Sequence, residues 1–309
     1  MENKYDVVII GSGPAGLTAA IYGERAELKT IVIEKNAMSG GQVVNTYEVD
    51  NYPGLPGING FDMAMKFREH AEKLGAQFVV DEVVKIEETE GGKKVICENN
   101  TFETKTIIIA SGANHRKLGV VGEIELSGRG VSYCATCDGA FFRNKEVVVV
   151  GGGDVAVEDA IFLARICKKV YLVHRRDELR AAKSLQARLF QMENVEFIWD
   201  SQVKEIVGDN SVNKVIIENV KTKEESSLDV QGIFIAVGII PNTENFKGVA
   251  DMDKQGYFIA GEDTKTSTKG IFVAGDVRTK QLRQIVTAVS DGANAITSIE
   301  QYLTEEAVK

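Results

Sequence analysis

Two glycine-rich turns, each set between a buried strand and a helix, stand 140 residues apart in this chain, at Gly11 and Gly151. Tyr5–Ile10 (YDVVII) is a continuous β-branched run, the pattern of a strand buried on both faces. Gly11-Ser12-Gly13-Pro14-Ala15-Gly16 follows, then a helical stretch from Pro14 to about Ala26, then a second buried strand, Thr30–Ile33, ending at Glu34. Strand, G-x-G-x-x-G, helix, strand and acid, in that order, make the unit that binds a dinucleotide. Gly11 permits the tight turn, Gly13 lets backbone N–H groups approach a pyrophosphate, and Gly16 lets helix and strand pack closely. The helix N-terminus supplies partial positive charge to the phosphates. Glu34, 23 residues after Gly11, can accept hydrogen bonds from both ribose hydroxyls.

In the second unit Glu146–Val150 reads as the strand, Gly151-Gly152-Gly153-Asp154-Val155-Ala156 as the turn, Val157–Ile166 as the helix and Val170–Val173 as the next strand. Gly151, Gly153 and Ala156 match Gly11, Gly13 and Gly16, and the same offset of 140 carries Glu34 onto His174. There the chain reads His174-Arg175-Arg176, with Arg180 four residues beyond. An acid favours a free 2′-hydroxyl and repels a phosphate, whereas arginines offer forked donors that match phosphate oxygens. The first unit therefore suits a nucleotide without a 2′-phosphate and the second suits NADP(H). A solvated basic face is the plainer reading of such a charge run, and its position at the repeat offset decides for the phosphate. Two different nucleotide sites in one chain point to electron transfer between two cofactors.

The closing segment fits this. Gly270–Ala274 (GIFVA) reads as another buried strand, followed by Gly275-Asp276-Val277, Arg283-Gln284 and a helix from about Ile285 to Tyr302. Asp276 could bind the polyol of a flavin chain; taken alone it reads first as a turn or N-cap residue. The C-terminal part then completes the first nucleotide domain. The fold class read here is α/β, with two Rossmann-like three-layer domains, FAD- and NAD(P)-binding, the first discontinuous. The expected division is 1–116 with 245–309 for the FAD-binding domain and 117–244 for the NADPH-binding domain.

Composition excludes several classes. Glycine stands near 10% and proline near 1%, against usual values of about 7% and about 5%, so the glycine excess is not linker composition. With 44% apolar and 26% charged residues the chain reads as an ordinary soluble protein, and 309 residues suggest two domains. The net charge of −9 argues against nucleic acid or an anionic membrane as main partner. No segment approaches the roughly 18–20 apolar residues of a membrane span. Met1–Lys4 leads straight into strand-like sequence, leaving no room for a signal peptide, so the cytoplasm is the expected compartment. Four cysteines are too few for a disulfide scaffold.

Cys134-Ala135-Thr136-Cys137 is the only close cysteine pair. Cys97 and Cys167 stand alone and read as core packing, and the three histidines show no ligand spacing, so no metal is expected. Covalent haem would need His after the second cysteine, where Asp138 stands. The pair is then a redox dithiol or two unremarkable thiols, and the redox reading is favoured. Placed ahead of the helix-like Ala140–Phe142, the pair could gain thiolate character from its dipole. Asp138 could serve as acid/base for the leaving thiol, or simply as an N-cap.

Together these runs resemble the low-molecular-weight thioredoxin reductases of the flavin-dependent disulfide reductase superfamily, over nearly the whole chain. Cys134-Ala135-Thr136-Cys137-Asp138 is the most specific element. The resemblance implies that Gly11, Ser12, Gly13, Pro14, Ala15, Gly16, Glu34, Gly40, Gly41, Gln42, Asn51, Gly112, Asp276, Arg283, Gln284 and Ile285 contact FAD. It implies that Gly151, Gly153, Asp154, Ala156, Glu158, His174, Arg175, Arg176 and Arg180 contact NADPH. It further implies a Cys134–Cys137 disulfide reduced by FADH₂, with Cys137 the flavin-proximal sulfur and Asp138 the proton donor, and a thioredoxin-like protein as acceptor. A homodimer, and a domain rotation between the half-reactions, are implied as well. Two departures stand out: Ser111 precedes Gly112 where the family usually has Thr, and Val155 stands where it commonly has Ser or Thr. The rival readings are a peroxide-linked reductase with an additional redox domain, a dithiol oxidase that would not need the arginines, and a non-catalytic redox sensor for which the cysteines would be dispensable.

Overall fold

The computed structural model describes residues 4–46, 48, 49 and 51–308; the start of the Met1–Lys4 reading therefore lies outside the described residues. The chain divides into two compact units, Met1–Asn114 with Ile240–Lys309, and His115–Ile239. The sequence reading set the crossings two to five residues later, at 116/117 and 244/245.

The first unit begins with β1 (Lys4–Ile10), α1 (Pro14–Arg25), β2 (Thr30–Glu34), α2 (Gly60–Lys73) and β3 (Gln77–Val80). A meander follows: β4 (Val83–Thr89), β5 (Gly92–Cys97) and β6 (Thr101–Ile109). β1 pairs in parallel with both β2 and β6, and Val7, Val8 and Ile9 are fully buried, which is why its second half, Val7–Ile10, carries no polar residue. On the edge away from β1, β6 serves two partners in succession: its start pairs antiparallel with β5, while Ile107–Ile109 pair in parallel with a strand from the far end of the chain.

The chain passes to the second unit through β7 (Ala113–His115). That unit holds β8 (Val131–Ser132), α3 (Ala135–Asp138), β9 (Glu146–Val150), α4 (Asp154–Ala164), β10 (Lys169–Val173), α5 (Lys183–Leu189) and β11 (Val195–Ile198). An antiparallel arm, β12 (Ser201–Val207), β13 (Lys214–Asn219) and β14 (Glu225–Asp229), leads into β15 (Gly232–Ile235). The parallel sheet runs β11-β10-β9-β15-β8. The chain returns through β16 (Ile239–Pro241) to β17 (Ile271–Val273), the strand that pairs with β6, and ends in α6 (Ile285–Ala307).

Three boundaries differ from the sequence reading. α4 starts at Asp154 rather than Val157, because the turn glycine Gly153 itself stands at the N-cap in extended conformation. α6 runs five residues past Tyr302, since Ile296 and Ile299 bury one stripe of it while the far face stays in solvent. Ala140–Phe142, expected as helix-like behind the cysteines, lies in a 3₁₀ turn, Gly139–Phe142, and the helix proper, α3, contains Cys137.

Candidate active site and nucleotide turns

The two glycine turns are built alike. Gly11 N–H donates to Ile33 O (2.8 Å) and Gly151 N–H to Val173 O (3.1 Å). The first helical bonds, Leu17 N–H to Gly13 O and Val157 N–H to Gly153 O, also match across the repeat. A Cβ on Gly16 would sit 1.9 Å from Gly11 O, so only glycine fits there. The second turn is opened enough to hold the Ala156 methyl.

Around the first turn the structure gathers residues distant in sequence. Ser12 donates to Glu34 Oε2 through its N–H (2.9 Å) and its hydroxyl (2.8 Å), and Asn36 takes the other carboxylate oxygen. Gly40 N–H donates to Ser12 O (2.7 Å), which lays Gly40-Gly41 and Gln42 over the turn. Asn51 Nδ2 donates to Gln284 Oε1 (3.0 Å), and Gln284 caps α6 ahead of Ile285. Gly112 O accepts from Asn242 N–H (3.0 Å), while the Ser111 hydroxyl donates to Asn242 O (2.8 Å). Serine thus supplies the hydroxyl that the threonine of the family motif would bring.

Asp276 lies on the turn after β17, and Arg283 crosses the Tyr257 ring at 4.2 Å. Sequence reasoning missed what anchors this turn. The buried Asp291 carboxylate accepts from Gly275 N–H, from Arg278 Nε and Nη2 and from Lys280 Nζ, at 2.7–2.9 Å. Burial alone would raise its pKa; the Arg278 and Lys280 hydrogen bonds, the ammonium charge and Gly275 N–H outweigh that and hold it low. A depressed folded pKa adds stability above the ordinary carboxylate range, and that stability is lost as pH falls through the folded value. Asp291→Asn should therefore destabilise the first unit by about 3 kcal/mol at neutral pH, because two buried cations lose their counter-charge. Thermal release of flavin fluorescence reads this out, and the gap between variant and parent should narrow in acid.

The groups present fit a flavin nucleotide. No atom lies within 4 Å of where a Gly13 Cβ would be, which leaves the helix N-terminus open, and Asp276 Oδ1 is buried with no hydrogen-bond partner. Burial raises the Asp276 pKa, opposed by Lys280 and Arg283. Ligand hydroxyls are what such an oxygen lacks.

In the second unit no atom lies within 4 Å of a Cβ built on Gly153. Arg180 N–H donates to Gly152 O (2.7 Å) and Asp154 Oδ1 accepts from Ala182 N–H (2.7 Å), which draws the arginine loop against the turn. His174 is buried beneath Gly152, its Nε2 unpartnered; burial, then the charges of Arg180, Arg176 and Arg175, hold its pKa down. Arg175, Arg176, Arg180 and Glu158 are exposed. Val155 is exposed too, with no hydroxyl to offer.

Cys134 and Cys137 form a disulfide, Cα atoms 5.3 Å apart, across the single turn of α3. Cys134 is the N-cap and Asp138 the last residue, its N–H donating to Cys134 O (3.1 Å). This corrects the expected dipole effect: the helix behind the pair is absent, and four residues of α3 sum to only a small dipole. Asp138 stands at the N-cap position of the Gly139–Phe142 turn, where its side chain makes no capping hydrogen bond. Burial raises its pKa, partly offset by a hydrogen bond from Ser132. Cys97 and Cys167 are free and buried, their pKa values pushed up to about 12 and about 11 by burial, as suits core packing. Among the described residues no His/Cys/Asp/Glu group could hold a metal ion.

Residues 5–292 match the family model described as pyridine nucleotide-disulphide oxidoreductase. The chain belongs to that family. A thioredoxin reductase of Listeria innocua is 49% identical over 305 residues, covering 98% of this chain and 95% of the relative. The crystal structure of thioredoxin reductase from Streptococcus pyogenes shares 50% identity, with a TM-score of 0.94 over 99% of this chain and 100% of that one. The Lactococcus lactis thioredoxin reductase in its FR conformation shares 49% identity over 97% and 99% of the chains, with a TM-score of 0.67. Within the family this chain is an NADPH-dependent disulfide reductase of the flavin-carrying thioredoxin reductase group.

Proposed function

We propose that this chain uses NADPH to reduce a thioredoxin-like protein, with Cys134–Cys137 as the group that hands over the electrons, working as a homodimer in the cytoplasm. The observation that carries the reading is the disulfide on α3, beside a half-buried carboxyl and within the unit that holds the arginine-flanked glycine turn. FAD, when bound, supplies the two-electron relay between a nicotinamide and that disulfide.

The turn Gly11–Gly16 with Pro14 and Ala15 would cradle the FAD pyrophosphate at the start of α1. Glu34 would take the ribose hydroxyls in exchange for its Ser12 and Asn36 donors. Gly40, Gly41, Gln42, Asn51, Gly112, Asp276, Arg283, Gln284 and Ile285 would hold the rest. The turn Gly151–Ala156 with Asp154 and Glu158 would seat NADPH, and Arg175, Arg176 and Arg180 with His174 would face its 2′-phosphate. Asp138 holds the proton that the opened disulfide needs. Because one unit carries both the arginine site and the disulfide, the units turn relative to one another between half-reactions. The FR conformation reported for the Lactococcus lactis relative supports such a motion. Among the described residues no helix is long and apolar enough to cross a membrane.

Anaerobic titration tests the whole reading. NADPH should bleach the yellow protein, and oxidised thioredoxin should restore the colour. Bleaching without recovery on thioredoxin would remove the acceptor assignment.

A further inference from the structure

Ser132 closes β8, a strand held in the parallel sheet beside β15, and its side chain is 4% exposed. Three polar atoms of the disulfide segment converge on its single hydroxyl. Asp138 Oδ2 lies at 2.6 Å, Cys134 N at 3.1 Å and Cys134 O at 3.3 Å. A hydroxyl has one proton and two lone pairs. The Cys134 N–H occupies one lone pair permanently. The remaining lone pair and the proton can be used in two ways.

With Asp138 ionised, the Ser132 O–H donates to Oδ2. With Asp138 protonated, the carboxyl O–H donates to Ser132 Oγ, and the serine proton turns to Cys134 O. Both arrangements satisfy every group, and neither moves a heavy atom. A half-buried carboxyl changes charge at a cost when one state loses its partner, and Oδ2 here keeps Ser132 Oγ in both.

We infer that Ser132 is the positioning residue for the proton transferred by Asp138, holding the carboxyl against the disulfide turn in both of its protonation states. The inference rests on the proposed role of Asp138 as proton donor. In that step two electrons enter the Cys134–Cys137 bond, which breaks to leave two thiolates. The Asp138 O–H passes its proton to one of them, giving one thiol, one thiolate and a carboxylate. As the carboxylate forms, the Ser132 hydroxyl rotates from Cys134 O to Oδ2.

Among the described residues no charged side chain hydrogen-bonds this carboxyl. The 3₁₀ turn Gly139–Phe142 carries no titratable side chain. α4, which packs against α3, carries Asp154, Glu158 and Asp159, and none of these hydrogen-bonds Asp138. Among the described residues the Ser132 hydroxyl is the side chain that hydrogen-bonds Asp138. Burial raises the Asp138 pKa and Ser132 lowers it in part, in line with this geometry.

The test uses the FAD-loaded protein and the pH dependence of the rate at which its NADPH-reduced flavin is reoxidised by the Cys134–Cys137 disulfide, read by stopped-flow absorbance. Ser132→Ala removes the donor to the charged state, which costs that state more than the neutral one, so the alkaline limb should move up by about 1 pH unit. The rate at neutral pH should fall about 10-fold, from loss of positioning. Flavin reduction by NADPH should be unchanged, and Ser132→Thr should restore the profile. An unshifted alkaline limb in Ser132→Ala, or a uniform loss that Thr does not rescue, overturns the inference. Asp138→Asn separates the two levels: a slow Asp138→Asn with a parental Ser132→Ala removes Ser132 alone. An Asp138→Asn with parental rate and profile removes the proton-donor reading and the inference with it.

Discussion

Cys137→Ser should abolish reduction of thioredoxin, by roughly 10⁴-fold or more, while the protein keeps its yellow colour and NADPH still bleaches it. The size follows from the chemistry of the pair. Reduction of an acceptor disulfide requires two sulfurs on the enzyme, one to attack and one to release the mixed disulfide. Serine can do neither, since its oxygen forms no bond of the required kind with sulfur and has no accessible anion. The substitution itself is small. Cys134 caps α3 and Cys137 lies within its single turn, so losing the bridge leaves α3 with its backbone bonds, including Asp138 N–H to Cys134 O. A coupled assay of NADPH oxidation with thioredoxin reads the loss. If Cys134 is the attacking sulfur, the same variant should accumulate a mixed disulfide with thioredoxin, visible on a non-reducing gel. Turnover at the parental rate would remove the pair from the mechanism.

Replacing Arg175, Arg176 and Arg180 together by alanine should lower kcat/KM for NADPH by about 100-fold and leave that for NADH within about threefold. A hydrogen bond from a charged donor to a phosphate is worth about 1.5–3 kcal/mol. The three guanidinium groups are exposed, so solvent screening discounts each contact, and a combined loss near 3 kcal/mol corresponds to about 150-fold. The NADH arm isolates the phosphate. Arg180 also contributes its backbone N–H to Gly152 O, and alanine keeps that bond, so the turn itself should hold its shape. High salt should shrink the NADPH effect in the parent and matter little in the variant. Equal losses for both nucleotides would mean that the arginines support the fold and not the 2′-phosphate.

Much of the frame was readable because the strands flanking the glycine turns are buried on both faces. Val7–Ile9 and Val147–Val149 have no solvent side, so they carry uninterrupted β-branched runs that no surface element would tolerate. The antiparallel arms were harder to read: β5 (GKKVIC) alternates half-buried and buried positions, but Lys93 takes a buried one, so no polar–apolar alternation marks the strand. The placement of α3 was not readable, since four residues are too few for any period. Nor was the Asp291 cluster. Arg278, Lys280 and Asp291 look like the charges of a solvated helix start, and only the packing of α6 against the turn after β17 buries them together. Ser132 escaped for a similar reason, because nothing in Val131-Ser132-Tyr133 marks a hydroxyl that will meet a carboxyl six residues on.

The double pairing of β6 sets an order on biosynthesis. Its second half waits for β17, about 160 residues later, and the Asp276 turn and the start of α6 emerge later still. Every strand of the His115–Ile239 unit has left the ribosome by then, so the inserted unit can fold before the unit that begins the chain. Until β17 arrives, Ile107–Ile109 present an unpaired apolar edge to the cell. Acquisition of flavin then comes as a late event in maturation, and chains stalled in their last forty or so residues should be colourless yet carry a folded second unit.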